Sequence, residues 1–200
     1  MPLRGYTKRR APPPAIQEER PTMDAPADRD AAVSCYREGP MLLEHAVMDL
    51  RDADLDAKPS GGGWSIRQIV HHVADGDDIW TLGIKMAIGN EEAEFALGWY
   101  GSLTQDTWAE RWAYSRRSIA ESLTLLKATR EHILQILESV PDAWNRGVIV
   151  RTSKGEIERV PVGFVIQMQA DHVLHHIERI RAILQEVGGT AGVRETLCDT

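Results

Sequence analysis

Apolar residues recur at helical spacing through four long stretches of the chain, and this periodicity constrains the fold more than any other feature. In the first stretch, Leu43, Ala46, Val47 and Leu50 follow the i, i+3, i+4, i+7 pattern of one helix face. The predicted helices cover residues 39–51, 66–88, 107–140 and 162–187. Four long helices with apolar stripes predict an all-α protein, a four-helix bundle.

The period changes between the third and fourth predicted helices. Residues 147–152 and 156–162 alternate apolar and polar side chains around a Ser-Lys-Gly turn, which predicts a small β-hairpin before the last helix. Six of the ten prolines fall within residues 1–30, where periodic apolar residues are almost absent. Such a segment buries too little surface to offset its ordering entropy, so it is predicted to be a disordered Pro-rich tail. Residues 189–200 are predicted to be a flexible C-terminal tail.

Composition excludes several classes of function. The net charge of −7 argues against a general nucleic-acid binder, which normally presents a basic face. Cys35 and Cys198 form neither a CxxC pair nor a disulfide framework, which suits a reducing compartment. No stretch approaches the ~18 apolar residues of a membrane span, and no secretory signal is evident. We predict a cytoplasmic protein that does not bind membranes.

Two histidines four residues apart, His172 and His176, lie on the fourth predicted helix. Side chains at this spacing share one helix face, with Cβ atoms about 5–6 Å apart, close enough to bind one metal ion. They continue an apolar stripe that includes Met168, so they are expected to face the bundle interior. On the second helix, His72 continues the stripe that contains Ile69. Neutral imidazole is a common ligand of transition metals.

The neighbouring histidines, His71 and His175, are rotated by about 100° from these positions and are not expected to join the same site. A histidine on a core face is more often a hydrogen-bonded structural residue than a ligand. The HxxxH spacing also arises by chance, and Val173 stands where the HExxH zinc-protease motif has its glutamate. Spacing alone leaves both a metal site and structural core histidines open.

Two segments carry a resemblance to a known family. The sequence GWSIRQIVHHVAD, residues 63–75, resembles the helix-two signature of the DinB-like superfamily, especially its YfiT-like branch. The sequence DHVLHHIERI, residues 171–180, resembles the helix-four signature. The resemblance covers residues 36–186 and implies a bundle of up-down-down-up topology for that range.

The resemblance also implies a metal site. Its ligands would be His72, His172 and His176, the same three residues that the apolar stripes select. It implies one divalent ion per chain, with zinc as the first choice and nickel or another transition metal as alternatives. Asp75, three residues after His72, is a candidate to orient a water or a ligand histidine. A solvated surface carboxylate is the more common role of such a residue.

An enzyme is the function that the resemblance implies, either a metal-dependent hydrolase or a thiol-dependent enzyme. Its YfiT-like branch is linked with S-transfer of bacillithiol, so we predict transfer of a low-molecular-weight thiol to an electrophile, by a homodimer. Hydrolysis at the same site and non-catalytic metal binding are the alternatives. Three histidines leave an open coordination position, as in catalytic sites. No catalytic base or nucleophile is identified.

Other residues receive weaker predictions. Arg67 and Arg179 are candidates to bind a carboxylate on the thiol, although long helices usually carry such arginines at the surface. The tryptophans are interpreted as residues of the core or of a dimer interface. These are Trp64, Trp80, Trp99, Trp108 and Trp112.

Overall fold

The computed structural model describes residues 23–90, 92–151 and 155–188. The predicted C-terminal tail, and the predicted N-terminal tail as far as residue 22, lie outside these ranges. The N-terminal tail was predicted to extend to residue 30, and this end was placed too late because Arg29 and Asp30 already belong to the first turn of a helix.

The described residues form seven α-helices and a three-stranded sheet. The helices are α1 (Arg29–Val47), α2 (Asp52–Leu55), α3 (Ile66–Gly89), α4 (Gly98–Gly101), α5 (Gln105–Arg111), α6 (Ala120–Ser139) and α7 (Val162–Glu186). The strands are β1 (Glu94–Ala96), β2 (Gly147–Arg151) and β3 (Ile157–Pro161). Single 3-10 turns follow α5 and α6, at Tyr114–Arg116 and Ala143–Asn145. The four long helices, α1, α3, α6 and α7, pack as one bundle.

Contacts between helix ends give the directions of three of the long helices. Arg29, at the start of α1, donates a 3.4 Å hydrogen bond to the carbonyl of Leu137 near the end of α6. These two helices are therefore antiparallel. His71 and Ser122, near the starts of α3 and α6, lie 2.8 Å apart between Nδ1 and Oγ. Helices α3 and α6 are therefore parallel.

The direction of α7 completes the topology. The backbone N–H of Ser60, just before α3, donates a 2.8 Å hydrogen bond to the carboxylate of Glu186 at the end of α7. Helices α3 and α7 are thus antiparallel. The four long helices run up, down, down and up, which confirms the predicted four-helix bundle and its topology.

The first helix begins at Arg29 and ends at Val47, so its predicted range of 39–51 was wrong. The side chain of Asp28 accepts a 3.0 Å hydrogen bond from the N–H of Ala31 and caps the helix. The prediction began too late because the sequence Gly-Pro at its middle is typical of a helix boundary.

Helix α1 continues through Gly39 and Pro40 because α6 supplies the missing hydrogen bond. Pro40 has no N–H, so the carbonyl of Tyr36, one turn earlier, lacks a helical donor. The guanidinium of Arg130 donates to that carbonyl at 2.8 Å. A Cβ at Gly39 would lie only 2.5 Å from Nη1 of Arg130, so glycine is required for this approach. Gly39 and Pro40 together form a notch that receives the arginine.

Arg130 is buried, with 1% of its surface exposed, and it joins all four long helices. Its Nε donates to the carboxylate of Asp77 on α3 at 2.8 Å, and its Nη2 donates to the carbonyl of Gln169 on α7 at 2.8 Å. Burial raises the pKa of Asp77 to about 6, although the charge of Arg130 acts in the opposite direction. Each of the three nitrogens of this buried cation donates to at least one partner, which offsets part of its desolvation cost.

The third predicted helix, residues 107–140, is two helices in the structure. Between α5 and α6 the backbone of Ala113 adopts a left-handed conformation, with φ of 55°. A 3-10 turn over Tyr114–Arg116 follows, and the hydroxyl of Ser118 accepts a 3.2 Å hydrogen bond from the N–H of Ala120 at the start of α6. Neither glycine nor proline marks the break, so no local sequence signal indicates it.

The predicted hairpin is confirmed as β2 and β3, which pair antiparallel with Val148 opposite Val160. Its turn residues, 152–154, lie outside the described residues. A third strand was not predicted: β1 pairs parallel with β2, with Phe95 opposite Val150. Strand β1 has only three residues, too few to show an alternating pattern.

Candidate metal centre

Three histidines from two antiparallel helices converge in the bundle. The Nε2 atom of His172 lies 3.0 Å from Nε2 of His72 and 3.0 Å from Nε2 of His176. One nitrogen from each ring falls within 4.8 Å of the others. The structure thus brings together the three residues that the sequence predicted as ligands.

The local structure explains the convergence. His172 and His176 stand one turn apart on α7, and the antiparallel packing of α3 places His72 against them. Gly76, one turn after His72, puts no side chain between α3 and the ring of His172. A Cβ there would lie 3.6 Å from Cε1 of that ring, so a side chain larger than alanine would displace it.

Two of the three separations between the ring nitrogens match those of ligands on one divalent transition-metal ion. Two nitrogens bound about 2.0–2.1 Å from one ion, at angles of about 90–110°, stand about 2.8–3.4 Å apart. The two separations of 3.0 Å between Nε2 atoms agree with that geometry. Imidazole nitrogens suit zinc, nickel, copper and iron, so the donor set does not distinguish among these metals.

The protonation of the rings suits metal binding. Burial lowers the pKa of His72 to about 3, that of His172 to about 4 and that of His176 to about 2. Nearby positive groups act in the same direction: Arg130 lowers the pKa of His172, and Arg179 lowers those of His72 and His176. The rings are therefore neutral near pH 7, the form that donates a lone pair to a metal.

The second nitrogen of His176 is unusual. Its Nδ1 atom is buried and has no hydrogen-bond partner among the described residues. Ligand histidines normally donate this N–H to a carboxylate or a carbonyl. Packing orients the ring here instead, since its centroid lies 4.6 Å from that of His172 and 5.0 Å from that of His72, both edge-on.

The adjacent histidines lie outside the cluster. His71 is fully buried, with Nδ1 at 2.8 Å from the Ser122 hydroxyl and Nε2 at 3.2 Å from the carbonyl of Arg117. His175 is exposed. The stripe argument expected His72, rather than His71, to face the core: His72 does face His172 on α7, but His71 is the more deeply buried of the two. Helix α3 packs against α6 on one side and α7 on the other, so both histidines face a neighbouring helix.

Asp75 is directed toward another part of the chain. Its carboxylate lies 3.5 Å from Nη1 of Arg117 and forms a hydrogen bond with the side chain of Tyr114. Burial, together with the charge of Asp75, raises the pKa of Tyr114. The partners of Asp75 within the described residues belong to the segment before α6, and none of the three histidines is among them.

Trp64 contacts the cluster, which sequence reasoning missed. Its ring lies 4.8 Å from that of His72, edge-on, and its indole N–H donates a 2.6 Å hydrogen bond to the carboxylate of Asp106 on α5. In and just before α5, the rings of Trp108 and Tyr100 stack with centroids 5.5 Å apart. The interpretation of Trp64 as a core or interface residue therefore changes to that of a neighbour of the site. The sequence did offer a signal for this contact, because Trp64 lies directly before α3 and within the segment that resembles the family signature.

The two arginines named from the sequence have different environments. Arg67 is buried, with Nε at 2.7 Å from the carboxylate of Asp56 and Nη2 at 2.9 Å from that of Asp52. Arg179 is exposed and lies three residues after His176 on α7. Only Arg179 keeps its guanidinium available beside the histidines.

The fold and this cluster define a helical-bundle protein with a candidate metal centre between two antiparallel helices. The family model of the DinB superfamily matches residues 36–180. The chain therefore belongs to the DinB superfamily, as its two signature segments indicated.

Relatives in sequence cover most of the chain. A protein of Oceanobacillus iheyensis is 28% identical over 144 residues, which are 72% of this chain and 78% of the relative. Its name describes it as an inferred metal-dependent hydrolase. YfiT of Bacillus subtilis, named in the same way, is 26% identical over 161 residues, or 80% of this chain and 86% of its own.

Solved structures show the same fold. The structure of YfiT, described as a four-helix bundle of unusual topology, superposes with a TM-score of 0.70 at 23% identity, covering 86% of this chain and 95% of YfiT. A variant of the mycothiol-dependent maleylpyruvate isomerase gives a TM-score of 0.57 at 17% identity, covering 76% of this chain and 60% of the isomerase. At these identities the likeness shows the fold alone.

Proposed function

We propose that the chain is a metal-dependent enzyme that transfers a low-molecular-weight thiol to an electrophile at His72, His172 and His176. The observation that carries the proposal is the approach of the three Nε2 atoms, two of whose separations are 3.0 Å. Closed structural sites usually use four protein ligands, whereas three leave a position for a substrate. Membership of the DinB superfamily and the likeness to YfiT, a relative named for metal-dependent chemistry, support the metal-dependent part of the proposal.

The chemistry divides between the ion and the chain. A bound divalent ion supplies a Lewis acid that favours the thiolate form of a thiol, the better nucleophile. The three imidazoles would hold the ion, and as neutral ligands they would not cancel its positive charge. The ring of Trp64 covers one edge of His72 and presents apolar surface to a substrate. Burial by the bundle limits the water that reaches the rings.

Hydrolysis on the same site is the second candidate, because relatives that match 72% and 80% of this chain are named by inference metal-dependent hydrolases. The thiol reaction has its own support: the isomerase that shares this fold is named as mycothiol-dependent. A non-catalytic metal-binding protein is the third possibility. The three functions use one metal site and differ in what reacts there.

The proposal extends to the cofactor, the partners and the location. It takes one divalent ion per chain, with zinc first and nickel or another transition metal as alternatives, and small-molecule substrates. A homodimer and a cytoplasmic location are part of the proposal and remain to be measured. Within the described ranges, no helix combines the length and the apolar character needed to cross a membrane.

Transfer is tested by mixing metal-loaded protein with bacillithiol or another small thiol and an electrophile such as monochlorobimane, whose chloride the thiol displaces. Conjugation is expected to be faster with the natural protein than with His172→Ala, while His175→Ala, on the same helix but exposed, keeps the natural rate. Circular dichroism must show that both variants fold, since metal loss can loosen a bundle. Hydrolysis of simple esters or amides without thiol transfer would favour the hydrolase. Neither activity would favour metal binding without catalysis.

A further inference from the structure

We infer that Arg179 binds a carboxylate group of the substrate and so selects anionic substrates for the three-histidine site. The inference rests on the proposed function and adds the chemical class of the substrate. Its basis is the position of a guanidinium beside the cluster, with no bonding partner among the residues that the structure describes.

Arg179 shares a helix face with two of the histidines. His172, His176 and Arg179 occupy positions i, i+4 and i+7 of α7, which lie on one side of a helix. Arg179 stands about 4.5 Å further along the helix axis than His176, because the rise is about 1.5 Å per residue. A small molecule can therefore reach the ion with one group and the guanidinium with another.

The packing of the helices places Arg179 at a defined end of the cluster. The end of α7 lies beside the segment before α3, where Ser60 bonds Glu186. Arg179 is displaced from the histidines in that direction. Trp64, which contacts His72, comes from the same segment. An apolar ring and a cation therefore stand at the same end of the site, a combination suited to a ligand with an organic body and an anionic group.

The guanidinium is charged, exposed and available. Within the described ranges it forms no hydrogen bond or ion pair with the chain, whereas Arg67, the other arginine named from the sequence, is bonded to two carboxylates. A guanidinium fork binds a carboxylate with two parallel hydrogen bonds, and is permanently charged.

The carboxylate could belong to the thiol or to the electrophile, and two pairs of compounds separate these sources. N-acetylcysteine and N-acetylcysteamine differ only in one carboxylate. Their binding to cobalt-loaded protein can be followed by the absorption of the cobalt–thiolate bond, which does not depend on turnover. Chlorodinitrobenzene and its carboxylated derivative form the second pair, measured as conjugation rates with N-acetylcysteamine.

For at least one pair, the natural protein should favour the carboxylated compound about tenfold, as expected for a charge-assisted hydrogen bond. Arg179→Met should abolish the preference, and Arg179→Lys should keep part of it. Arg181→Met is the matched control: it removes the same charge two residues away on another face of α7 and should keep the preference.

The outcomes separate this inference from the proposed function. An Arg179-dependent preference in binding without any thiol transfer would support the inference and refute the transfer reaction. Transfer without an Arg179-dependent preference in either pair would overturn the inference and leave the proposed function standing. Equal loss of preference in Arg179→Met and Arg181→Met would also overturn it, because general electrostatics would then explain the effect. The inference would also be overturned if neither thiol bound the protein and both electrophiles reacted at equal rates.

Discussion

The guanidinium of Arg130 donates a 2.8 Å hydrogen bond to the carbonyl of Tyr36, which Pro40 leaves without a donor from its own helix. A helix interrupted in sequence is thus completed from another helix. The contact also requires glycine at position 39, since a Cβ at Gly39 would lie 2.5 Å from Nη1 of Arg130.

Gly39→Ala should therefore destabilise the protein, although alanine in a helix is normally about 1 kcal/mol more favourable than glycine. The added methyl group displaces a buried arginine with three hydrogen-bonded partners, and a loss of about 1–3 kcal/mol is expected. Urea denaturation measures the difference. Gly89→Ala is the control, because a Cβ at that position in α3 meets nothing within 4 Å. A stabilised Gly39→Ala variant would show that the notch is loose.

Alanine substitution of His72, His172 or His176 should sharply reduce a metal content of about one ion per chain. His175→Ala should keep the metal and the stability, because its side chain is exposed. His71→Ala should keep the metal but lower the melting temperature, since it leaves Ser122 without its buried partner. Elemental analysis of purified variants, combined with thermal unfolding, checks all five. Metal loss from His175→Ala equal to that from His176→Ala would contradict the assignment.

The metal-free protein should lose stability as the pH falls below the ordinary histidine pKa of about 6.5. In the folded state the pKa values of His72, His172 and His176 are lowered to about 3, 4 and 2. Under acid conditions the unfolded chain therefore binds more protons than the folded chain, and acid favours unfolding. Asp77 has the opposite effect, because its folded-state pKa is raised to about 6. Between its ordinary pKa and pH of about 6 the folded chain binds more protons at Asp77 than the unfolded chain does, so acid favours folding there.

This pH dependence is measured as the melting temperature of chelator-treated protein between about pH 7.5 and about pH 4, a range that spans the titration of an ordinary histidine. Replacing the three histidines by glutamine should flatten the profile in that range. An equally steep profile in the triple variant would assign the acid sensitivity to other groups.

Trp64→Phe should loosen α5 without removing the metal. Phenylalanine keeps an aromatic ring beside His72 but has no donor for Asp106, whose bond to the indole is 2.6 Å. The loss is expected to be about 1 kcal/mol, and hydrogen exchange should accelerate in residues 105–111. Trp99→Phe, at a half-exposed position, is the control. Unchanged exchange in α5 would show that the bond does not hold it.

The elements that could be predicted are those with a repeated local signal. Helix α3 begins where Ser65 and Gln68 form a capping box, and its length follows the apolar period. The start of α1 was missed because the partner of the Tyr36 carbonyl comes from Arg130, 94 positions away. The left-handed backbone of Ala113 was missed because alanine carries no preference for it.

The residues of the candidate site also divide into those with a local sequence signal and those that depend on distant contacts. The spacing of His172 and His176 is a local signal, so the pair could be predicted from one helix. The choice of His72 over His71 rested on a stripe and on the family resemblance, and burial alone would have selected His71. The contact of Trp64 with His72 and the bond to Asp106 depend on how α5 packs, which no local pattern encodes.

Several contacts hold the segment between α3 and α6, among them the pairing of β1 with β2, the bond from Trp64 to Asp106 and the approach of His71 to the carbonyl of Arg117. Its conformational entropy is therefore lost when the chain folds, rather than when a ligand arrives. Under the proposed function, a substrate that enters beside His72 would meet a wall that is already ordered, so its association would not wait for a loop to close over it. Selection among substrates then depends on the shape and charge of a fixed surface.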